Sequence, residues 1–227
     1  MTISIIWAAG TRSGSEFAVT LTEAAFRPKL LEEIKVSAAR ESFVKETRTH
    51  APITFDEALV LGRTADAIKI EEPTIDDWLD RFLQAYPCAK IIGTYRPLER
   101  VIRSHQRLKD SWGFHEDRVV SLFEDRLRLY ERLALTGAFF LIPIEEPKDF
   151  CSGAFLDFLG VEATLEFQDH VARWPVINDT QHLLTLSQYA GYSVPSEASS
   201  SQVARPNVKR RYEELVRESN RPRNASA

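Results

Sequence analysis

Residues 3–26 read ISIIWAAGTRSGSEFAVTLTEAAF, and this stretch decides the fold class. Residues 3–9 are apolar except for one serine, which is typical of a buried strand. Two glycines follow, Gly10 and Gly14, and a helical pattern of apolar residues then begins. A buried strand, a glycine-containing loop and a helix together predict the opening of a phosphate-binding α/β fold.

The rest of the chain repeats the alternation of strand and helix. Further strands are predicted at residues 67–70, 88–95 and 138–144. Helices are predicted at residues 74–86, 97–109 and 117–135. Another helix is expected to end at Gly160, since glycine is the usual residue after a helix C-terminus. This order predicts a three-layer α/β sandwich with a mostly parallel central sheet.

Length and composition indicate one domain. The chain has 227 residues, of which 44% are hydrophobic and 27% charged, so it can bury an apolar core and is not a wholly disordered protein. We expect a single domain over residues 1–220. Within it, residues 193–208 are rich in Ser, Ala and Pro and are predicted to be a mobile loop. Residues 221–227 are predicted to be a frayed tail.

Charge and cysteine content exclude several function classes. The formal net charge of -4 argues against a nucleic-acid partner, because a phosphate backbone favours a basic surface. Cys88 and Cys151 have no CxxC or Cys/His spacing, so neither a zinc site nor a disulfide framework is predicted. No stretch approaches the roughly 20 apolar residues of a membrane span. These features favour a cytoplasmic location.

The loop over residues 9–15, called the phosphate loop below, offers groups that bind anions. Backbone amides at the start of a helix point into one concavity, and Gly14 allows a phosphate to approach the backbone closely. Ser13 and Ser15 offer hydroxyl donors, and Arg12 offers a charged fork. The alternative is a plain strand-to-helix turn with a capping serine.

The phosphate loop differs from that of ATP-dependent enzymes. A Walker A loop reads GxxxxGK[ST], and here Ser15, or Gly14 in another register, stands where the lysine belongs. The chain also offers no convincing acidic strand end for Mg²⁺. A kinase-like phosphotransferase is therefore the less favoured alternative.

The sequence TRSGS at residues 11–15 resembles the 5′-phosphosulfate loop of sulfotransferases that use 3′-phosphoadenosine-5′-phosphosulfate (PAPS). That loop often reads PRSGT or PKSGT, and the departure here is Thr11 in place of proline. The resemblance, which spans about residues 3–160, implies a P-loop-type fold. It also implies transfer of a sulfuryl group from PAPS to a hydroxyl or amine of a small-molecule, carbohydrate or peptide acceptor. PAP would be the product, and no metal would be needed. A noncatalytic PAP-binding protein is a further alternative.

The stretch AYPCAKIIGTYRPLERVIRSHQRL resembles the second signature of this family, in which an arginine precedes a serine by eight residues. Arg96 and Ser104 have this spacing. An arginine at the end of a strand and a serine two turns into the next helix can converge on one phosphate. The resemblance implies that this group is the 3′-phosphate of PAPS. A register shifted by one residue would place Arg103 in the position of the serine.

Candidates for the chemical step come from a third resemblance. The stretch RTHAP, which begins at Arg48, resembles the KTHLP segment of cytosolic family members, and Arg48 stands in the lysine position. His50 is a candidate for the base or for a side chain that binds the acceptor molecule. In other branches of the family the base is a glutamate, for which Glu23, Glu71 and Glu72 are candidates. Glu71 and Glu72 follow a predicted strand and are expected at the rim of the crevice.

The carboxy-terminal basic run contributes two more candidates. Lys209 and Arg210 resemble the segment that closes on the 3′-phosphate in many relatives, although the family's RKG motif is absent. The alternative is a solvated helix start. The sequence does not identify which tryptophan would form the aromatic wall against adenine. The four candidates are Trp7, Trp78, Trp112 and Trp174.

Overall fold

The computed structural model describes residues 5–10, 13–26, 30–37, 42–45, 52–53, 67–71, 83–106, 115–145, 147–174 and 205–221. The strands are β1 (Ile5–Ala9), β2 (Leu30–Ser37), β3 (Ser42–Lys45), β4 (Pro52–Ile53), β5 (Ala67–Glu71), β6 (Lys90–Tyr95) and β7 (Phe139–Pro143). The α-helices are α1 (Ser15–Phe26), α2 (Leu98–Gln106), α3 (Glu116–Ala134), α4 (Ser152–Leu159), α5 (Leu165–Ala172) and α6 (Pro206–Ser219). A short 3-10 helix covers Pro147–Asp149. Residues 83–86 are the described part of the helix predicted over 74–86, and of these 83–85 are helical.

Strands of the described residues form one sheet of seven strands in the order β4-β3-β2-β5-β1-β6-β7. The strands β2, β5, β1, β6 and β7 pair in parallel, and β3 and β4 extend the β2 edge in antiparallel pairing. The predicted mostly parallel sheet is therefore confirmed. Strand β1 lies between β5 and β6, so the phosphate loop leaves the interior of the sheet.

Helices cover both faces of the sheet. Successive strand residues point to opposite faces, and neighbouring residues of the central strands accordingly enter two separate apolar cores. One core lies against α2, α3 and α6 and includes Ile6, Ala8, Ile91, Tyr95 and Leu141. The other lies against α1, α4 and α5 and includes Ile5, Trp7, Ile92, Phe140 and Ile142. This arrangement confirms the predicted three-layer α/β sandwich.

Two of the predicted element boundaries have opposite outcomes. Gly160 follows α4 with φ 73°, and its amide donates to Leu156 O at 2.7 Å, which confirms the predicted helix end. Helix α6 begins at Pro206, so the prediction of a mobile loop is wrong for residues 206–208. Proline at the first helical position has a suitable φ and no amide to satisfy, so it favours a helix start here. Residues 193–204 and 222–227 lie outside the described residues.

Candidate functional site

The carboxyl ends of the parallel strands bring several predicted site residues to one edge of the sheet. Ala9, the last residue of β1, pairs with Glu71 at the end of β5. On the other side of β1, strand β6 ends at Tyr95, which pairs with Pro143 of β7. The phosphate loop, Glu71, and the residues that follow β6 and β7 therefore share the edge where α/β proteins bind ligands.

The described part of the phosphate loop is a tight turn fixed to β6. The Ser13 amide donates to Gly10 O at 3.0 Å, and the Ser13 hydroxyl donates to the same carbonyl at 2.6 Å. The Ser13 hydroxyl also lies 2.7 Å from Thr94 Oγ1 of β6. A serine hydroxyl has one proton, so Ser13 donates to a ligand only if it leaves Gly10. In this structure Ser13 joins the loop to the neighbouring strand.

Gly14 connects this turn to helix α1. Its φ is 92°, a conformation that side chains other than glycine rarely adopt. A Cβ at this position would lie 2.8 Å from the Cγ1 and Cγ2 atoms of Ile144, which follows β7. The Gly14 carbonyl accepts from the Ala18 amide at 3.2 Å, so helix α1 starts here. The amides of its first turn, which include that of buried Ser15, form the positive end of the helix dipole.

Arg96 follows β6 and is held by a carboxylate from the neighbouring strand's end. Its Nε donates to Glu145 Oε1 at 2.5 Å, and Arg100 Nε lies 3.2 Å from Glu145 Oε2. In helix α2, Ser104 is buried and Arg103 is exposed. Both remain candidates for the second ligand of the 3′-phosphate, and the Arg96/Ser104 pairing stays a prediction.

The two basic residues of α6 have different surroundings. Lys209 lines a cavity of about 200 Å³ with Tyr95, Leu98 and other residues of α2, α3 and the start of α6. Tyr95 and Leu98 flank Arg96 in the sequence, so Lys209 lies beside the start of α2. Arg210 is not among the residues that line this cavity. Both cations also have a carboxylate four residues further along the same helix.

Arg126 of helix α3 lies at the same edge of the sheet, and sequence reasoning missed it. Its side chain is only 3% exposed. A Cβ on Gly10 would overlap the Arg126 guanidinium, so the two residues are in direct contact. The available signal was an arginine within the apolar stripe of α3, between Phe123 and Tyr130, at the spacing of residues that face a core.

Two of the four tryptophans are core residues. Trp7 Nε1 donates to Thr22 Oγ1 at 3.1 Å, and Trp174 Nε1 donates to Ile144 O at 2.8 Å. Both indoles are fully buried in the core that contains α1, so neither forms an open wall for adenine. Trp78 and Trp112 lie outside the described residues.

Several predicted site residues lie outside the described part of the chain. These are Arg12, Arg48, His50 and Glu72, while Glu71 is described by its backbone alone. Among the residues that are described, no three His, Cys, Asp or Glu side chains gather into a group that could hold a metal ion. None of the helices in the described ranges is long and apolar enough to cross a membrane.

Comparison with known proteins gives a structural likeness. The chain is similar to mouse sulfotransferase SULT7A1 in its crystal structure with PAP, with a TM-score of 0.52 and 13% sequence identity over 93% of this chain and 82% of that one. In all, 14 chains of solved structures match. No protein-family model matches, and no curated protein matches either. The likeness establishes that this chain has a sulfotransferase-like α/β fold.

Proposed function

We propose that this protein transfers a sulfuryl group from PAPS to a hydroxyl or amine of an acceptor. One observation carries the proposal: a loop that reads TRSGS leaves β1 at the same edge where Arg96 leaves the adjacent β6. The sulfotransferase-like fold supports it, because this edge is the ligand-binding edge of such sheets. We propose a small molecule, a carbohydrate or a peptide as the acceptor.

In this proposal the two ends of PAPS bind to neighbouring strand ends. The 5′-phosphosulfate group lies on the phosphate loop, where the first amides of α1 and the Arg12 guanidinium stabilise negative charge. The 3′-phosphate binds Arg96 and Ser104, and Lys209 and Arg210 are further candidates, of which Lys209 lies beside the start of α2. Both phosphates are thus held by arginine, serine and amide groups without a metal.

The reaction exchanges one bond to sulfur for another. The bond between sulfur and the bridging oxygen of the 5′-phosphate breaks, and a bond from sulfur to the acceptor oxygen or nitrogen forms. The acceptor proton passes to a base, for which His50, Glu71 and Glu72 are the candidates. Glu71 is supported by its register, because it pairs with Ala9 at the entrance to the phosphate loop. Arg48 is the candidate cation beside the transferring group.

Ligand preference in EDTA tests the proposal. We expect PAP to raise the unfolding midpoint, since a ligand at 100 times its dissociation constant adds about 2.7 kcal/mol to the free energy of unfolding. ADP, with or without Mg²⁺, lacks the 3′-phosphate and is expected to have a smaller effect. A larger shift with Mg·ATP than with PAP would contradict the proposal and favour a kinase-like phosphotransferase. PAP binding without PAP release from PAPS, tested with phenol, amine and carbohydrate acceptors, would identify a noncatalytic PAP-binding protein.

A further inference from the structure

Arg126 is a buried cation to which the proposed function assigns no role. It lies on the face of α3 that packs against the sheet, among apolar side chains such as Phe123 and Leu127. Moving a charged group from water into such surroundings is unfavourable unless nearby groups compensate for the lost hydration. A guanidinium at this position places a formal positive charge beside the residue that follows β1.

Helix α3 is fixed to β1 one turn away from Arg126. The Tyr130 hydroxyl donates to Ala8 O at 2.5 Å, and it also lies 3.4 Å from the Thr94 amide of β6. Residues four apart on a helix lie on the same face, so Arg126 projects toward the sheet beside Tyr130. It meets the chain at Gly10, two residues beyond Ala8.

Gly10 is the point at which the strand becomes the phosphate loop. Its carbonyl accepts both hydrogen bonds from Ser13, and its Cα faces the Arg126 guanidinium so closely that a Cβ would overlap it. The guanidinium therefore lies against the base of the loop. Helix α1, whose first amides would hold an anion, begins on the other side of this turn.

We propose that Arg126 is a further positive group of the anion site, which strengthens binding at the phosphate loop through its fixed charge beneath Gly10. This inference rests on the proposed function, in that it assigns an anion to the loop. It adds a cation from helix α3 to those expected from the loop and from Arg96. A charge held in the protein interior acts over several ångströms with little screening by salt, so contact with the anion is not required.

Three variants test the role of the charge, with inorganic pyrophosphate and PAP as probes in titration calorimetry in EDTA. Arg126→Met keeps most of the side-chain volume without the charge, and we expect it to bind both anions at least tenfold more weakly. Arg126→Lys keeps the charge, and we expect it to stay within about threefold of the wild-type protein. The control is Arg128→Met, which removes an exposed arginine of the same helix and is expected to change neither affinity.

Equal affinities in Arg126→Met and the wild-type protein would overturn the inference, as would a lysine variant as weak as the methionine variant. Absence of pyrophosphate binding in the wild-type protein would also overturn it. Failure of the proposed function has a different signature, namely a preference of the wild-type protein for Mg·ATP over PAP. Pyrophosphate resembles both the phosphosulfate of PAPS and the linked phosphates of ATP, so the Arg126 result does not depend on that preference.

A substitution on the loop side of the contact keeps the inference testable if Arg126→Met does not fold. Gly10→Ala introduces a Cβ where the guanidinium lies, so the guanidinium must move away from the loop. We expect Gly10→Ala to weaken pyrophosphate binding severalfold when Arg126 is present. In an Arg126→Lys background, whose unbranched side chain lacks the guanidinium that the Cβ overlaps, Gly10→Ala is expected to cause a clearly smaller loss. Equal losses in the two backgrounds would contradict the contact on which the inference depends.

Discussion

The Arg96 guanidinium is hydrogen-bonded to Glu145, with 2.5 Å between Arg96 Nε and Glu145 Oε1. The same carboxylate also binds Arg100. Two cations therefore share one anion, and the cluster keeps a formal charge of +1. Glu145 therefore has two effects on a phosphate that binds Arg96: it orients the Arg96 guanidinium, and it neutralises part of the positive charge. Removal of the carboxylate distinguishes these two effects.

We expect Glu145→Gln to strengthen PAP binding by about threefold to tenfold. The variant keeps the size of the side chain and raises the formal charge of the cluster from +1 to +2, which favours a phosphate dianion. Titration calorimetry at low and high salt measures the gain, which is expected to shrink as salt screens the added charge. A weaker affinity in Glu145→Gln would mean that the carboxylate acts mainly by orienting Arg96.

Arg96→Ala is expected to weaken PAP binding by about 2 kcal/mol or more, the scale of a lost charge-assisted contact in a partly buried site. Ser104→Ala removes a neutral donor and is expected to cost less. Arg103→Ala removes the exposed cation of the competing register and is expected to cost less than Arg96→Ala. Undiminished affinity in Arg96→Ala, together with a large loss in Arg103→Ala, would show that the shifted register is correct.

The features predicted from the sequence depend on neighbours in the chain. Strand β1, the loop, helix α1 and the end of α4 at Gly160 each follow from a run of about ten residues, and all were predicted. Strands β2, β3 and β4 were not predicted. Strands β3 and β4 have only four and two residues, which carry too little periodicity to identify a strand. The sequence of β2, LLEEIKVS, begins with two apolar and two acidic residues and so lacks the regular alternation of a half-buried strand.

The missed parts of the site depend on residues far apart in the chain. Ser13 meets Thr94 across 81 positions, and Arg96 meets Glu145 across 49. The contact of Arg126 with Gly10 likewise needs the packing of α3 on β1. Residue types indicated an anion site, but only the tertiary structure specifies which cations are already paired and which donors are already used.

Tyr212 is expected to make the protein sensitive to alkaline pH. Burial raises the pKa of its phenol well above the ordinary value, while the nearby Arg126 opposes this rise. Above about pH 10 the unfolded chain loses the tyrosine proton and the folded protein keeps it. Below pH 10 this difference in proton binding does not lower the free energy of unfolding. Above pH 10 the free energy of unfolding is expected to fall by up to about 1.4 kcal/mol per pH unit.

Tyr212→Phe tests this pH dependence. The variant loses the hydrogen bond from the hydroxyl to Phe123 O, which is 3.0 Å long, at a cost of about 1 kcal/mol at pH 8. Its free energy of unfolding is expected to fall less steeply above pH 10, so the difference from the wild-type protein narrows there. Urea unfolding at pH 8 and pH 10.5 measures both quantities. Parallel losses in the two proteins would contradict the role of Tyr212.

Gly14→Ala is expected to lower the free energy of unfolding by about 2 kcal/mol or more. A left-handed conformation costs a residue with a side chain about 1–2 kcal/mol, and the new Cβ would also press on Ile144. The double variant Gly14→Ala with Ile144→Ala is expected to relieve the contact but not the backbone strain. Urea unfolding of the single and double variants measures the costs of the contact and of the backbone strain.

Gly14→Val is expected to abolish turnover, and full activity in that variant would mean that the loop is only a structural turn.

Lys209→Ala is expected to weaken PAP binding by about 0.5–1 kcal/mol, and Arg210→Ala by less than can be measured. Lys209 lines the cavity beside Tyr95 and Leu98 at the start of α2, whereas Arg210 does not line it. The effect is small because an exposed cation is screened by water and salt, and it is expected to shrink further at 0.5 M salt, where the Debye length is roughly 4 Å. Titration calorimetry with PAP compares the two variants, which differ by one position and have equal changes in charge. Equal losses in both would mean that the start of α6 acts as a general positive field, and a larger loss in Arg210→Ala would place the 3′-phosphate on the other side of this helix.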